Sequence, residues 1–367
     1  MGRMANRRDF LRGKAAMHAM GDLIEQALPE LPAPPPSPPA EATTDSYLLH
    51  LTRRAMASEF QLLFNAGQYP NATEAAMEAL DLIETLEEQL SVFRATSEVS
   101  RINFLAAEGP ITVDPRLFEI LQLAQRLYEE TGGAYDITST ALWRVWGFAR
   151  REGRLPTPAD LDEARRHVGG QQVELMPENH SVRFRQAGVE LNLGSIGKGY
   201  ALDRAAELLE SAGIGDFLIH GGQSSVLARG TRCDGRSAAG WSVGIQHPLR
   251  RGVRLGELTL KDRALGTSGS ANQFFRYRGH RYGHIIDPRS GQPAEGVLSS
   301  TVLAPSGALA DALSTAFFVL GPEKSLEYCQ SRPELAAVLV CTVANGERFE
   351  IRTAGLAEGE FKVLAEW

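Results

Sequence analysis

The stretch VELNLGSIGKGYALDRAAELLESAGIGDFLIH, residues 189–220, decides the fold prediction. It opens on alternating apolar residues at 189–193, which predict a strand. A glycine cluster follows, and residues 201–212 then place apolar side chains at helical spacing. A second strand is predicted at 217–220. This order of strand, glycine turn, helix and strand predicts a helix packed against a sheet.

Outside this stretch, predicted strands outnumber predicted helices. Helices are predicted after the caps Asn71, Asp114 and Thr157, and again over residues 308–320. The remaining strands are predicted at 59–65, 173–176, 181–185, 241–246, 299–303, 337–341 and 348–352. Runs of strands broken by a few long helices predict an α+β fold with mainly antiparallel sheets.

The composition is that of an ordinary globular protein, with 43% hydrophobic and 23% charged residues among 367. This length allows one large domain or two intimately joined lobes. The 38 basic and 45 acidic residues give a net charge of −7, which argues against nucleic acid as a partner. No uncharged stretch approaches the roughly 20 apolar residues of a transmembrane span. Because Cys233, Cys329 and Cys341 form no CxxC pair, neither a disulfide framework nor a thiolate zinc site is predicted.

The N-terminal residues differ from the rest of the chain. Residues 7–12, RRDFLR, resemble a twin-arginine export box, but residues 14–28 lack the apolar run of an export signal. Residues 31–40 are rich in proline and predict an extended linker. We therefore divide the chain into an N-terminal segment, 1–46, and a folded body, 47–367. Export or attachment to the cell envelope, and a cytoplasmic location, both stay open.

The glycine cluster contains a lysine, in a chain that has only five. Gly194, Gly197 and Gly199 surround Lys198 at the predicted start of a helix. Backbone N–H groups at a helix start, the helix dipole and a lysine all favour a phosphate. The cluster is not a Walker A loop, because glycine rather than Ser or Thr follows Lys198. A diphosphate cradle and a tight turn with a solvated lysine both fit these residues.

Asp311 and Thr315 lie four residues apart in the predicted helix at 308–320, so they share one face. A carboxylate and a hydroxyl on one face are oxygen ligands suited to Mg²⁺. The residues around them are small or apolar. A helical carboxylate beside a core threonine is the alternative to a metal site.

Two further motifs place polar groups beside turns. His284 precedes the turn Asp287-Pro288-Arg289-Ser290-Gly291, and its imidazole titrates near neutrality, as a proton carrier must. Tyr135 and Asp136 follow a double glycine, where a ring and a carboxylate could stack on a planar ligand and accept its N–H groups. Each motif has a structural alternative: a satisfied histidine in the first case, and a helix cap before a half-buried strand in the second.

In combination, these motifs resemble the ApbE family, the FAD:protein FMN transferases. The blocks that carry the resemblance are Met56-Ala57-Ser58, Leu90-Ser91-Val92-Phe93, Ser100-Arg101-Ile102-Asn103, Gly133-Ala134-Tyr135-Asp136-Ile137-Thr138, Trp146-Gly147-Phe148, Gly194-Ser195-Ile196-Gly197-Lys198-Gly199-Tyr200-Ala201 with Asp203, Gly221-Gly222, Ser268-Gly269, His284-Ile285-Ile286-Asp287-Pro288 with Gly291, and Ala310-Asp311-Ala312-Leu313-Ser314-Thr315-Ala316. They span about residues 56–321, and the last three blocks are specific in combination.

The resemblance implies an enzyme that cleaves the diphosphate of FAD in the presence of Mg²⁺. It would attach FMN to a threonine or serine hydroxyl of a partner flavoprotein and release AMP. Matched by position, the flavin and adenine contacts fall on Met56, Phe93, Ala134, Tyr135, Asp136, Gly194, Tyr200 and Ile285. The magnesium ligands fall on the backbone carbonyl of Gly197 and the side chains of Asp311 and Thr315. Two positions depart from the family pattern: Gly197 replaces the usual alanine, and Gln223 replaces Asp or Asn.

We expect Lys198, Asp311 and His284 to be the catalytic residues. Phosphoryl transfer requires positioning and charge neutralisation, which Lys198 and a metal on Asp311 would supply. The expected general base is His284, on residue type and motif position, or a nearby carboxylate. Three alternatives stay open: an FAD diphosphatase that yields FMN and AMP, a non-catalytic FAD-binding protein, and a structural protein with fortuitous glycine turns.

Overall fold

The computed structural model describes residues 47–232, 240–271, 273–343 and 349–364. The predictions for residues 1–46, which include the twin-arginine-like start, and for Cys233 lie outside these residues. Within them, no helix has both the length and the apolar character needed to cross a membrane.

Eighteen strands and eight helices occur in the described residues, and they are numbered along the chain. The strands are β1 (Leu48–Ala55), β2 (Ser58–Asn65), β3 (Ile111–Thr112), β4 (Val173–Met176), β5 (Ser181–Phe184), β6 (Phe217–Gly221), β7 (Ser225–Arg229), β8 (Trp241–Gln246), β9 (Arg254–Leu260), β10 (Arg263–Gly269), β11 (Phe274–Tyr277), β12 (His280–Gly283), β13 (Ile286–Asp287), β14 (Gln292–Pro293), β15 (Val297–Ala304), β16 (Ala336–Thr342), β17 (Phe349–Ala354) and β18 (Phe361–Val363). The α-helices are α1 (Ala72–Leu90), α2 (Glu98–Leu105), α3 (Pro115–Glu130), α4 (Thr140–Val145), α5 (Pro158–Arg166), α6 (Gly197–Ser211), α7 (Gly307–Leu320) and α8 (Pro322–Gln330).

An eight-stranded sheet in the order β1-β2-β6-β7-β10-β15-β16-β17 forms the centre of the fold, and every neighbouring pair is antiparallel. Because side chains alternate along a strand, each strand contributes to two cores. On β16, Leu339 and Cys341 join the core beneath the helices. Val338 and Val340 join a second core on the opposite face.

Different layers cover the two faces of this sheet. Helices α1, α6 and α7 contribute Ile83, Leu202 and Phe317 to the first core. The three-stranded sheet β18-β9-β8 contributes Trp241 and Leu258 to the second. The predicted α+β class with antiparallel pairing is therefore confirmed.

A third apolar cluster lies under α4 and α5 and includes Leu142, Trp146 and Phe148. The two-stranded hairpin β11-β12 packs on it through the cross-strand pair Phe275 and Tyr282, whose rings stack with centroids 5.1 Å apart. The hairpin face that carries Phe275 and Tyr282 is therefore anchored. The residues that alternate with them lie on the opposite face, which is not part of this cluster.

The strand predicted at 189–193 is wrong: these residues form no ladder with a neighbouring strand. Their alternate apolar side chains are buried, as in a strand, but the backbone bonds elsewhere. The Asn103 side chain accepts from the N–H of Leu191 and donates to its carbonyl. The N–H of Asn192 donates to the carbonyl of Ile137. The Asn103 side chain and the Ile137 carbonyl thus make the hydrogen bonds that a neighbouring strand would make.

Two helix starts also differ from the predictions. Helix α6 begins at Gly197 rather than at residue 201, so the second half of the glycine cluster is its first turn. Asn71 precedes α1 without a side-chain cap bond, because its amide donates to the carbonyl of Ala212. The predicted capping by Asp114 is confirmed, since its side chain accepts from the N–H of Arg116.

Candidate active site

A cavity of about 1200 Å³ lies at the start of α6 and extends to the β11-β12 hairpin. We define its helix wall as the lining residues Ala134, Tyr135, Asp136, Asn192, Gly194, Ser195, Lys198, Ser268, Asp311, Ser314 and Thr315. We define its hairpin wall as Gln273, Phe274 and His284. The glycine cluster, the Asp311 helix and the His284 motif, which are far apart in sequence, therefore line one cavity.

Asp311 lies on the first turns of α7 and points to the start of α6. Its Oδ2 accepts from the N–H of Gly199 at 2.7 Å and from the hydroxyl of Ser225 at 2.9 Å. Burial raises the pKa of Asp311 to about 6, and the charge of Lys198 and these two hydrogen bonds oppose the rise. Its Oδ1 has no hydrogen-bond partner among the described residues. One carboxylate oxygen is thus free to bind a cation.

Helix α6 returns this interaction through Asp203. The Asp203 carboxylate accepts from the N–H groups of Gly307 at 2.6 Å and Ala308 at 2.9 Å, at the start of α7. Burial raises the pKa of Asp203 to about 6, against the effect of these two bonds. A carboxylate on each helix thus accepts hydrogen bonds from N–H groups in the first turn of the other helix.

Two glycines allow this exchange of carboxylates. A Cβ on Gly199 would lie 2.0 Å from the carbonyl oxygen of Gly307, and a Cβ on Gly307 would lie 2.4 Å from that of Gly199. Any side chain at either position would push the two helix starts apart. Gly199 is therefore explained first by helix packing.

Hydroxyl groups surround the Asp311 turn on the β10 side. The Ser268 hydroxyl lies 2.8 Å from that of Ser314 and 3.0 Å from that of Thr315. Strand β10 approaches α7 closely at Gly266, which has no side chain. A Cβ there would lie 2.4 Å from the carbonyl oxygen of Ala310. This side of the cavity therefore offers several neutral oxygens next to one carboxylate.

The N–H donors of the glycine cluster are only partly available. The N–H of Gly194 donates to Oδ1 of Asn192 at 2.9 Å, and that of Gly199 is taken by Asp311. The N–H groups of Ser195 and Lys198 make no hydrogen bond within the described residues. An anion at this helix start would meet these two donors, the helix dipole and the Lys198 side chain.

Tyr135 and Asp136 are buried in the same wall. The Tyr135 hydroxyl accepts from Ser195 Oγ at 3.3 Å, and burial raises the tyrosine pKa. Oδ1 of Asp136 accepts from both the N–H and the hydroxyl of Thr138 at 2.7 Å. Its Oδ2 is buried without a hydrogen-bond partner in the described residues, and burial raises the pKa of Asp136 to about 6. This oxygen is suited to a ligand that donates an N–H group.

His284 lies at the base of the hairpin, where its Nδ1 is 3.1 Å from the carbonyl oxygen of Gln273. Burial lowers the pKa of His284, and the hydrogen bond opposes this shift. An imidazole that is neutral at pH 7 and donates from Nδ1 leaves Nε2 free as a proton acceptor.

Most of the predicted site residues line the cavity: Phe93, Ala134, Tyr135, Asp136, Gly194, Lys198, His284, Ile285, Asp311 and Thr315. Met56, Gly197 and Tyr200 do not. Met56 lies in the β1-β2 turn with a φ of 50° and packs against the first core. The buried Tyr200 ring lies near the charges of Arg204 and Arg116, and burial raises its pKa to about 12.

Sequence reasoning missed two residues of the site. Ser225 reaches Asp311 only because β7 pairs with β10, and no local signal in the sequence indicates this contact. Ser314 stands inside a quoted motif, and its hydroxyl donates to the carbonyl of Asp311 at 2.8 Å. Its position three residues after the carboxylate was the available signal.

The sequence pattern described as the ApbE family matches residues 56–339. The chain belongs to the ApbE family. A FAD:protein FMN transferase of Treponema pallidum is 34% identical over 278 residues, which cover 72% of this chain and 76% of the relative. One of Haemophilus influenzae is 29% identical over 317 residues, covering 84% and 90%.

The ApbE fold is confirmed as well. The solved structure titled flavin transferase ApbE from Vibrio cholerae superposes with a TM-score of 0.74 at 27% identity, covering 84% of this chain and 97% of that one. The ApbE resemblance and the expectation of a transferase are therefore confirmed.

Proposed function

We propose that this ApbE protein transfers FMN from FAD to a threonine or serine hydroxyl of an acceptor flavoprotein and releases AMP. The hydroxyl oxygen would form a bond to the FMN phosphorus while the anhydride bond to AMP breaks, and the hydroxyl proton would leave to a base. The observation that carries the proposal is one cavity that joins an anion-binding helix start, a free carboxylate oxygen and a neutral imidazole. Relatives named FAD:protein FMN transferase support FAD as the substrate.

The size of the cavity agrees with this substrate. Small-molecule sites are typically about 300–1,000 Å³. At about 1200 Å³, this cavity exceeds that range, as an extended dinucleotide and an incoming side chain require.

The oxygens near Asp311 fit a magnesium ion. Mg²⁺ prefers oxygen ligands and is bound by few carboxylates, as here. Oδ1 of Asp311 and the hydroxyl of Thr315 line the cavity and would hold it; the resemblance adds the backbone carbonyl of Gly197, a residue that does not line the cavity. When bound, it would supply positive charge that offsets the diphosphate and stabilises the leaving AMP.

The chain's own groups act on the diphosphate and on the hydroxyl. The N–H groups of Ser195 and Lys198 and the Lys198 side chain would hold the phosphates. Nε2 of His284 would accept the proton of the incoming hydroxyl, since Nδ1 is held by the carbonyl of Gln273. The buried Oδ2 of Asp136 would orient the substrate by accepting an N–H group.

Mass spectrometry of an acceptor tests the proposal. A purified candidate acceptor flavoprotein is incubated with this protein, FAD and Mg²⁺. We expect one FMN per acceptor and one AMP released for each FMN attached. An acceptor whose target threonine is replaced by valine should stay unmodified.

The alternatives give different products. AMP and free FMN formed at the same rate without an acceptor would identify a diphosphatase. Tight binding of FAD with no AMP in Mg²⁺ would identify a binding protein. Either result would contradict the transferase proposal.

A further inference from the structure

The β11-β12 hairpin has an unusual composition for this acidic chain. Residues 273–284, QFFRYRGHRYGH, contain three arginines, two histidines, four aromatic residues and no acidic residue. Within the described part of the chain, the hairpin's one ion pair joins His280 to Glu295 at 3.0 Å. Arg276, Arg278 and Arg281 have no carboxylate partner there. In a protein of net charge −7, this is a local excess of unpaired positive charge.

The arginines lie on and beside the face that the apolar cluster leaves free. The pairs Phe274–Gly283 and Arg276–Arg281 alternate with the anchored pair Phe275–Tyr282, so they occupy the opposite face. The guanidinium carbon of Arg281 lies 4.1 Å from the centroid of the Phe274 ring, and that of Arg276 lies 5.9 Å from it. Arg278 is exposed in the turn between the strands, with its guanidinium carbon 5.3 Å from the centroid of the Tyr277 ring. We call Phe274, Arg276 and Arg281, together with this turn arginine, the basic face.

Like charges directly opposite each other on two strands destabilise a hairpin. Arg276 and Arg281 form such a pair, and Nε of Arg281 is buried without a hydrogen-bond partner in the described residues. Because Arg281 also donates from Nη2 to the carbonyl of Ser270, an anion would relieve the repulsion at the exposed Arg276 side chain. The basic face is therefore arranged to receive negative charge.

The basic face begins where the cavity ends. Phe274 and Gln273 line the active-site cavity and also a second hollow of about 390 Å³. Phe148, Arg151, Gly153 and Phe275 complete this hollow. Arg276, Arg278 and Arg281 line neither. Lys198 and Arg251 line the cavity and can meet the charges of a bound dinucleotide there, so the basic face is left for a partner that arrives from outside.

We propose that the basic face docks an acidic segment of the acceptor flavoprotein and directs its target hydroxyl to His284. This proposal rests on the transferase function proposed above. Charge complementarity carries it: the rest of the molecule repels an acidic partner, and the unpaired arginines attract one at the cavity mouth. A side chain that flanks the target hydroxyl would enter the second hollow beside Phe274.

Charge reversal on the exposed arginines tests the docking surface. We compare the wild-type enzyme with the double variant Arg276→Glu/Arg278→Glu, using as the probe a purified flavoprotein to which the wild-type enzyme attaches FMN. We expect the acceptor KM to rise roughly tenfold or more, because each reversal replaces attraction with repulsion. The dissociation constant for FAD should stay within about twofold, since these side chains lie outside the cavity. Raising the salt concentration should weaken the wild-type enzyme's acceptor affinity more than the variant's.

The matched control is Arg54→Glu/Arg183→Glu, which makes the same charge change on exposed arginines that line neither hollow. Its acceptor KM should match the wild type. The milder Arg276→Gln/Arg278→Gln should raise KM in the same direction by less.

Three results would overturn the docking surface. An unchanged acceptor KM in the Glu variant would show that the arginines do not contact the acceptor. An equal rise in KM in the control would show a general charge effect. A weakened affinity for FAD with an unchanged acceptor KM would assign the arginines to the dinucleotide. Wild-type enzyme that attaches no FMN would instead overturn the proposed function, and the docking surface with it.

Discussion

The helix wall and the hairpin wall line the same cavity, but they differ in burial and in what holds them. In the helix wall, Asp311 and Asp136 are buried, and backbone N–H groups or hydroxyls fix their oxygens. In the hairpin wall, Phe274 is 40% exposed, and the arginines beside it have no ion-pair partner in the described residues. In the helix wall, hydrogen bonds within the protein already hold the carboxylates. Beside the hairpin wall, the arginine charges have no carboxylate partner in the described residues. We propose that the first wall serves the chemistry, and that the second serves recognition as well as holding His284 for the proton transfer.

The largest expected effect is the loss of the Asp311 carboxylate. Asp311→Ala removes the free oxygen for the cation and should lower the FMN transfer rate by about a thousandfold or more. It also leaves the Gly199 N–H and the Ser225 hydroxyl without an acceptor, at about 1–3 kcal/mol of stability. Transfer to the acceptor and the melting temperature measure the two effects separately. A folded variant that transfers FMN at the wild-type rate in Mg²⁺ would remove Asp311 from the metal site.

His284 tests whether the hairpin wall also contributes to the chemistry. His284→Gln should lower kcat by about a hundredfold, in the range for losing a general base, with little change in FAD affinity. Because burial lowers the pKa of His284, the imidazole should stay neutral to a lower pH than an ordinary histidine. The wild-type kcat should therefore fall only when the pH drops below the usual histidine pKa of 6.5. Rates from pH 5 to 8 for both proteins check this expectation. If His284→Gln keeps the wild-type kcat, His284 is not the general base, and the hairpin wall acts in recognition only.

The rigidity of the helix wall is tested by two glycines two residues apart. Gly199→Ala places a Cβ 2.0 Å from the carbonyl of Gly307 and should cost about 3 kcal/mol or more of stability. Gly197→Ala is the matched control, because its Cβ would meet only Leu90 Cδ1 at 3.8 Å, an ordinary contact. Denaturant unfolding of both variants measures the difference. Equal stability would mean that the two helix starts can separate at little cost.

The smallest expected effect is a pH dependence of stability from Asp203. Its folded-state pKa, about 6, lies above its ordinary value of 3.8, so the folded protein binds this proton more tightly than the unfolded chain. This carboxyl therefore adds stability as the pH falls through 6 toward 4. Relative to Asp203→Asn, which cannot titrate, the wild-type free energy of unfolding should rise over that interval. A constant difference between the two proteins would contradict the pKa shift.

The helix wall was largely predictable from the sequence, because its motifs are local. Gly194 through Gly199 and Asp311 with Thr315 are each defined by spacing within one helix turn. Their meeting was not predictable from spacing, since it depends on the contact of Gly199 with Gly307. The family resemblance supplied what spacing could not. Ser225 was missed for the same reason, because strand pairing places it there.

The hairpin wall was predicted less well. His284 was identified by its motif, but the arginines that precede it were not interpreted, because unpaired charge is visible only once neighbouring residues are placed. The strand predicted at 189–193 failed for a related reason. Its apolar alternation was correct for burial, but the Asn103 side chain occupies the backbone groups that a neighbouring strand would use.

The hydrogen bond between Gly199 and Asp311 joins residues 112 positions apart. During synthesis, the glycine cluster leaves the ribosome long before the Asp311 carboxylate. A chain that terminates ahead of α7 therefore lacks the carboxylate that the proposed transfer requires. Such truncated products should be inert in FMN transfer, and competence should arise only after α7 has been synthesised.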